Sequence, residues 1–191
     1  MTFHHYIIHK PYNYHSQFKL LTNKKIKLLG ELYDFADGTM SIGRLDKETE
    51  GLLLLTTNGK LSYLINSSKV EKEYYAQVDG DITDEAITML RDGIDITVEG
   101  EIYRTLKCKV RKLDTPPDIP QRIKKIRGDH HGPTSWVSIC LREGKNRQVR
   151  KMTAKVGFPT LRLLRYRIGN IILDERVAGS VEEVGMFDLG I

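Results

Sequence analysis

Asp46 lies in the segment Gly43-Arg44-Leu45-Asp46-Lys47-Glu48-Thr49-Glu50-Gly51, which runs directly into Leu52-Leu53-Leu54-Leu55-Thr56. A charged loop bounded by glycines thus feeds a strand of buried character, and a loop anchored in this way presents a reactive carboxylate rigidly. An ionised carboxylate so placed can add to an electrophilic carbon or take a proton. Aspartate also organises turns, so spacing alone leaves Asp46 with both readings. Glu48 and Glu50 suggest a two-carboxylate hydrolase, but alternating with Lys47 and Thr49 they read more simply as solvated loop charges. Cys108 and Cys140 lack a Cys or His at metal-ligand spacing and read as reduced core thiols. None of the six histidines forms a ligand pattern, and His130-His131 reads as solvated loop, so no metal or cofactor is expected.

The elements that must hold this loop follow from patterning. Tyr6 to His9 reads as a first strand stopped by Pro11, and the leucine run as a buried strand ending at the Asn58-Gly59 turn. A short helix is expected from Lys60 to Ile65 and a strand from Val70 to Val78. Thr83 caps a helix reaching Arg91, with Gly93 at its stop. Leu106, Cys108 and Val110 alternate with Lys107, Lys109 and Arg111, predicting a half-buried strand with three cations on one face. A loop covers Asp114 to Gly132, followed by a strand from Trp136 to Leu141. Asn146 is the expected cap of a helix to Val156, with Val149, Met152, Thr153 and Val156 on its apolar stripe. Short strands are expected around Leu161 to Leu164 and Ile171 to Leu173. Strands and helices mix without regular βαβ alternation, which predicts an α+β fold.

Three ordered stretches then speak together. The segment Gly43 to Thr56 resembles the catalytic loop of pseudouridine synthases of the RsuA/RluE type, G-R-L-D-x-x-T/S-x-G-L-L-L-L-T. Glu71-Lys72-Glu73-Tyr74 resembles that family's second motif, K-x-Y. Glu143 to Met152, followed by Val156 to Leu163, resembles its third block, and Lys10-Pro11-Tyr12 with Ser16-Gln17-Phe18 resembles the opening of its catalytic domain. The resemblance runs from Lys10 to about Ile172. Pro133-Thr134-Ser135-Trp136 points to the RluE branch, whose members modify a uridine in large-subunit ribosomal RNA. The tail departs from the family: Gly179-Ser180-Val181-Glu182-Glu183 stands where G-x-W/V-R-x-L is common.

The resemblance implies one catalytic domain over 1–191, without an N-terminal S4-type RNA-binding domain. Its two lobes would lie around a mixed, mainly antiparallel sheet, with Asp46, Tyr74 and Arg150 meeting in a central cleft. It implies an isomerase acting on structured RNA, with Asp46 as catalytic carboxylate and Arg150 as its ion partner. Tyr74 would pack on the uracil and help remove the C5 proton, while Tyr75, facing the other way, is the better core candidate. Leu161 would form part of the apolar floor under the base. RNA contacts are expected from Arg44, Lys72, Lys107, Lys109, Arg111, Lys124, Lys125, Asn146, Arg147 and Gln148. The rival readings are a non-catalytic RNA-binding assembly factor and a synthase acting on transfer or small-subunit ribosomal RNA.

Charge agrees independently with a polyanionic partner. The 191 residues carry a net +5, but Arg104 to Arg127 holds nine Lys or Arg against two Asp, and Arg142 to Arg167 nine against one Glu. The segment Ile168 to Ile191 reverses this, with one Arg against five acids. No apolar run is long enough for a bilayer and the N-terminus shows no secretory pattern, so a cytoplasmic protein without membrane contact is expected, and a monomer because no separate association segment is evident.

Overall fold

The computed structural model describes residues 2–19, 26–67, 70–122, 126 and 131–190. The chain forms two compact units, one built from Met1–Val70 with Leu164–Ile191, the other from Glu71–Leu163. The fold class is α+β, as the patterning predicted, with three α-helices among the described residues.

The first unit opens with β1 (His5–Lys10), β2 (Tyr14–His15), β3 (Lys27–Leu28), a single 3-10 turn at Leu29–Glu31, and β4 (Met40–Ile42). Then come β5 (Thr49–Thr56) and α1 (Gly59–Ser67). β5 is buried along its whole length, which fits its unbroken leucine run. It begins three residues before those leucines, so Thr49 and Glu50 are strand residues and buried. The expectation that Glu50 is a solvated loop charge is therefore corrected.

The second unit comprises β6 (Lys72–Asp79), α2 (Asp84–Asp92), β7 (Asp95–Val98), β8 (Glu101–Arg104), β9 (Lys109–Leu113), β10 (Thr134–Leu141) and α3 (Gln148–Lys155). β10 pairs antiparallel with both β6 and β9. On this sheet pack α2, through Ala86, Ile87 and Leu90, and α3, through Val149 and Met152. Thr83 caps α2 as expected, its Oγ1 accepting from the Ala86 amide at 3.3 Å.

Two expectations shift here. The strand predicted from Leu106 to Arg111 starts only at Lys109, because the backbone before it closes off α2 instead. The Ile94 amide donates to Thr105 Oγ1 and the Cys108 amide to the Arg91 carbonyl. Gly93, at φ +86°, lets the Thr105 carbonyl come so close that a Cβ there would sit 2.3 Å from its oxygen. The helix expected to be capped by Asn146 begins instead at Gln148, with Arg147 in the capping position at φ 52° and no side-chain cap.

β11 (Thr160–Ile168) carries the chain back into the first unit, followed by β12 (Ile171–Ile172) and β13 (Val181–Val184). The first unit's strands run in the order β13, β1, β5, β11, with β4 also on β5 and β12 on β11. The tail that departs from the family pattern thus supplies an antiparallel partner for β1, with Ile8 opposite Val181 and His5 opposite Val184. No helix among the described residues is long and apolar enough to cross a membrane.

Candidate active site

The Asp46 loop is held by its backbone from several sides, all within the first unit. Leu45 is buried and locked by Ser16, whose Oγ donates to the Leu45 carbonyl at 2.9 Å and accepts from the Leu45 amide at 3.0 Å. The Thr49 amide closes the turn on the Asp46 carbonyl at 3.0 Å, and the Asn13 amide donates to the Lys47 carbonyl at 2.9 Å. Asp46 itself is half-buried, and Arg44 is exposed. Six residues of β1 pair with β5, which places Lys10 directly opposite Gly51.

Lys10 is the residue that motif reasoning left without a role. It is fully buried, and its ammonium donates to the carbonyls of Pro11 at 2.9 Å, Tyr14 at 2.7 Å and Lys47 at 3.4 Å. Its pKa is lowered to about 7, chiefly by burial, with Glu50 and Asp46 opposing the shift and Arg165 adding to it. Lys10 therefore fastens the backbone beside Asp46 while adding positive charge to its surroundings. Arg165 is likewise buried and donates to the Leu52 carbonyl at 2.8 Å. Gly51, at φ +104°, makes that approach possible, since a Cβ would lie 2.4 Å from the Arg165 carbonyl oxygen. The sequence signal for Lys10 was its place directly before Pro11. Nothing local announced that a lysine would be buried there.

The second unit holds the other motif residues. Tyr74 and Lys72 share one face of β6 with Ala76 and Val78, and Tyr74 packs half-buried on the unit's core. This corrects the expectation that Tyr75 is the core-facing tyrosine. Arg150 is half-buried on α3 and donates to the Thr160 carbonyl at 3.3 Å. Leu161 is half-buried on β11 and shares the face of Leu163, a core residue.

Glu143 ties this region together. It accepts from Tyr103 Oη at 2.5 Å, the Leu106 amide at 3.0 Å and Gln148 Nε2 at 2.5 Å. Gln148, expected among the RNA contacts, also accepts from the Lys145 amide at 3.0 Å and is buried, so its side chain braces the loop before α3. Asn146 and Arg147 are exposed at that helix start. Lys107, Lys109 and Arg111 are exposed, but Lys107 lies 3.5 Å from Asp92 and Lys109 lies 3.4 Å from Glu71. Lys124 and Lys125 lie outside the described residues.

A family model for RNA pseudouridylate synthase matches residues 4–155, spanning the Asp46 loop, the Tyr74 strand and α3. The chain belongs to that family. Among relatives, the synthase is 39% identical to ribosomal large subunit pseudouridine synthase E of Vibrio parahaemolyticus, over 93% of this chain and 72% of the relative. It is 38% identical to the protein of that name from Xanthomonas axonopodis pv. citri, over 88% of this chain and 87% of the relative. A crystal structure of a pseudouridylate synthase superposes with a TM-score of 0.75 at 24% identity, covering 95% of this chain and 70% of that one, which supports the fold. As an RNA pseudouridine synthase, the protein breaks the bond between ribose C1′ and uracil N1 and rejoins the ring through C5. The chemistry is an isomerisation, so the protein must supply a place for the turning base and a grip on RNA.

Proposed function

We propose that this synthase acts as a single chain on one uridine of large-subunit ribosomal RNA, with Asp46 as the catalytic carboxylate. The observation that carries the assignment is the Asp46 loop, clamped by Ser16, Asn13 and Lys10 and continuous with a fully buried strand. Such clamping holds a carboxylate in one geometry, as attack on C1′ or removal of the C2′ proton both demand. The names of its relatives support the large-subunit substrate.

The family motifs assign Tyr74 to the uracil ring and Arg150 to charge balance for the carboxylate. After the C1′–C5 bond forms, the C5 proton leaves and N1 gains one, so the reaction closes without oxidant or reductant. A phenol of ordinary pKa near 10 is a weak base at neutral pH, and water shares the proton transfer. Because a paired uridine is inaccessible to a half-buried aspartate, the nucleotide is swung out of its helix on binding. Arg44, two residues before Asp46, holds the neighbouring backbone, and Lys72, Arg111, Asn146 and Arg147 extend the contact. Lys107 and Lys109 contribute less, each being partly neutralised by an acid. Leu161 lines the space under the base.

The test is a pseudouridine map of ribosomal RNA from cells with and without the gene, rescued by wild type or by Asp46→Ala. Loss of one large-subunit site, restored by wild type alone, is expected. With purified protein, Asp46→Ala should lower the rate at least about a thousandfold while RNA binding persists. An unchanged map would redirect attention to another RNA or to an assembly role.

A further inference from the structure

Beside the Asp46 loop, within the first unit, lies a cavity of about 410 Å³ bounded by Asn13, Ile26, Lys27, Glu31 and Lys47. We infer that this cavity is a subsite for a nucleotide flanking the target uridine, with Lys27 and Lys47 each on one of the two phosphates that bound that nucleotide. The inference rests on the reading above that the substrate is RNA, and it adds residues that the family motifs do not mark.

Position is the first argument. Lys47 follows Asp46 in the chain, and its carbonyl accepts from the Asn13 amide, so one wall of the cavity is the catalytic loop itself. Parallel pairing of β2 with β3, Tyr14 opposite Lys27, brings the other lysine to the same place. A nucleotide lodged here would lie next to the reacting one.

Charge is the second. Lys27 and Lys47 are exposed, and neither has an acidic partner within ion-pair distance among the described residues. Among the described residues the one carboxylate on the rim, Glu31, accepts from the Leu28 amide at 2.8 Å and caps the 3-10 turn. In the second unit, by contrast, Arg104, Lys107, Lys109, Lys112 and Arg142 each have an acid within 4 Å. Cations left uncompensated around a concavity mark the place where an anion supplies the missing charge. The same field reaches His15, whose pKa is lowered by burial and then by Lys47, Lys10 and Arg44.

Shape is the third. The volume falls within the range of small-molecule sites, roughly 300–1,000 Å³, and suits a mononucleotide. Ile26 and the lysine stems give an apolar surface for a base, while the Asn13 side chain offers donor and acceptor for its edge. Lys27 Nζ lies 5.4 Å from the centre of the Tyr14 ring, which favours one orientation of a long side chain before RNA arrives.

The experiment compares the wild type with Lys27→Ala/Lys47→Ala, Lys27→Arg/Lys47→Arg and a control pair, Lys60→Ala/Lys155→Ala, which removes equal charge from exposed sites elsewhere. Filter binding to an unmodified large-subunit rRNA transcript is measured across salt concentrations, with pseudouridine formation followed on the same transcript and thermal melts confirming folding. For the alanine pair at the cavity we expect binding about tenfold weaker at moderate salt and a log–log salt slope shallower by about 1.5, roughly 0.7–0.9 for each phosphate no longer neutralised. The arginine pair should restore most of the slope. An unaltered slope, or an equal change in the control pair, overturns the subsite. Should the alanine pair melt at assay temperature, the single variants decide, each expected to flatten the slope by roughly half as much. A wild type that binds but forms no pseudouridine on this transcript overturns the large-subunit assignment instead, and the slope comparison still decides the subsite.

Discussion

Lys10 shows how a single buried charge can couple stability to pH. Unfolded, the amine has its ordinary pKa of 10.5; folded, burial brings it to about 7. Between those values the unfolded chain binds the extra proton, so this group makes the protein more stable as pH rises from about 7 towards 10.5. Lys10→Met removes that titration. Urea unfolding at a series of pH values should show the wild type gaining on the variant across that window, and a constant difference would rule the coupling out. The Asp46 loop was legible as a motif through its resemblance to the family's catalytic loop, while spacing alone left turn-making and chemistry both open. Lys10 and Glu50 were not, because Lys and Glu are rarely buried and only the pairing of β1 with β5 puts them inside. The core face of β6 is hard to read from sequence for a related reason. Alternation separates Tyr74 from Tyr75, but the choice of core face rests on Ala76 and Val78, which are weaker signals than an aromatic ring.

Among the elements, β5 depends most on one residue. Gly51 combines a left-handed backbone with an approach to Arg165 that leaves no room for a side chain. Gly51→Ala therefore introduces both strain and a clash with main-chain atoms, and we expect a loss of about 3 kcal/mol in unfolding free energy, read from the urea midpoint. A change below about 1 kcal/mol would mean that β5 and β11 move apart at little expense. Periodicity placed β1, β5, α2 and β10 well, since each buries one pattern against one layer. It failed between Thr105 and Cys108, where the backbone is bonded to the end of α2, and at the start of α3. There, bonds from Glu143 to residues 40 and 37 positions away fix the loop, and no local window contains them.

For the molecule as a whole, the sequence displayed the basic stretches but not the acids that fold across from them, such as Asp92, Glu71 and Asp81. The effective RNA-binding charge is therefore smaller than those stretches taken alone suggest. If about six phosphates are engaged, kcat/KM measured below saturation should fall by about a thousandfold between 50 and 200 mM salt, and a flat profile would argue against a polyanionic substrate. Topology has a further consequence. The first unit is discontinuous, its two segments separated in the chain by the whole of Glu71–Leu163. During synthesis on the ribosome, β1 and β5 emerge long before β11, and Arg165 follows the leucine that accepts its hydrogen bond by 113 residues. The contacts closing this unit are thus of high sequence separation and form late. A nascent chain thus carries the Asp46 loop together with the residues that clamp it, Lys10, Asn13 and Ser16, well before Arg165 arrives to bond β5, so the unit is half assembled while the intervening unit is still being made.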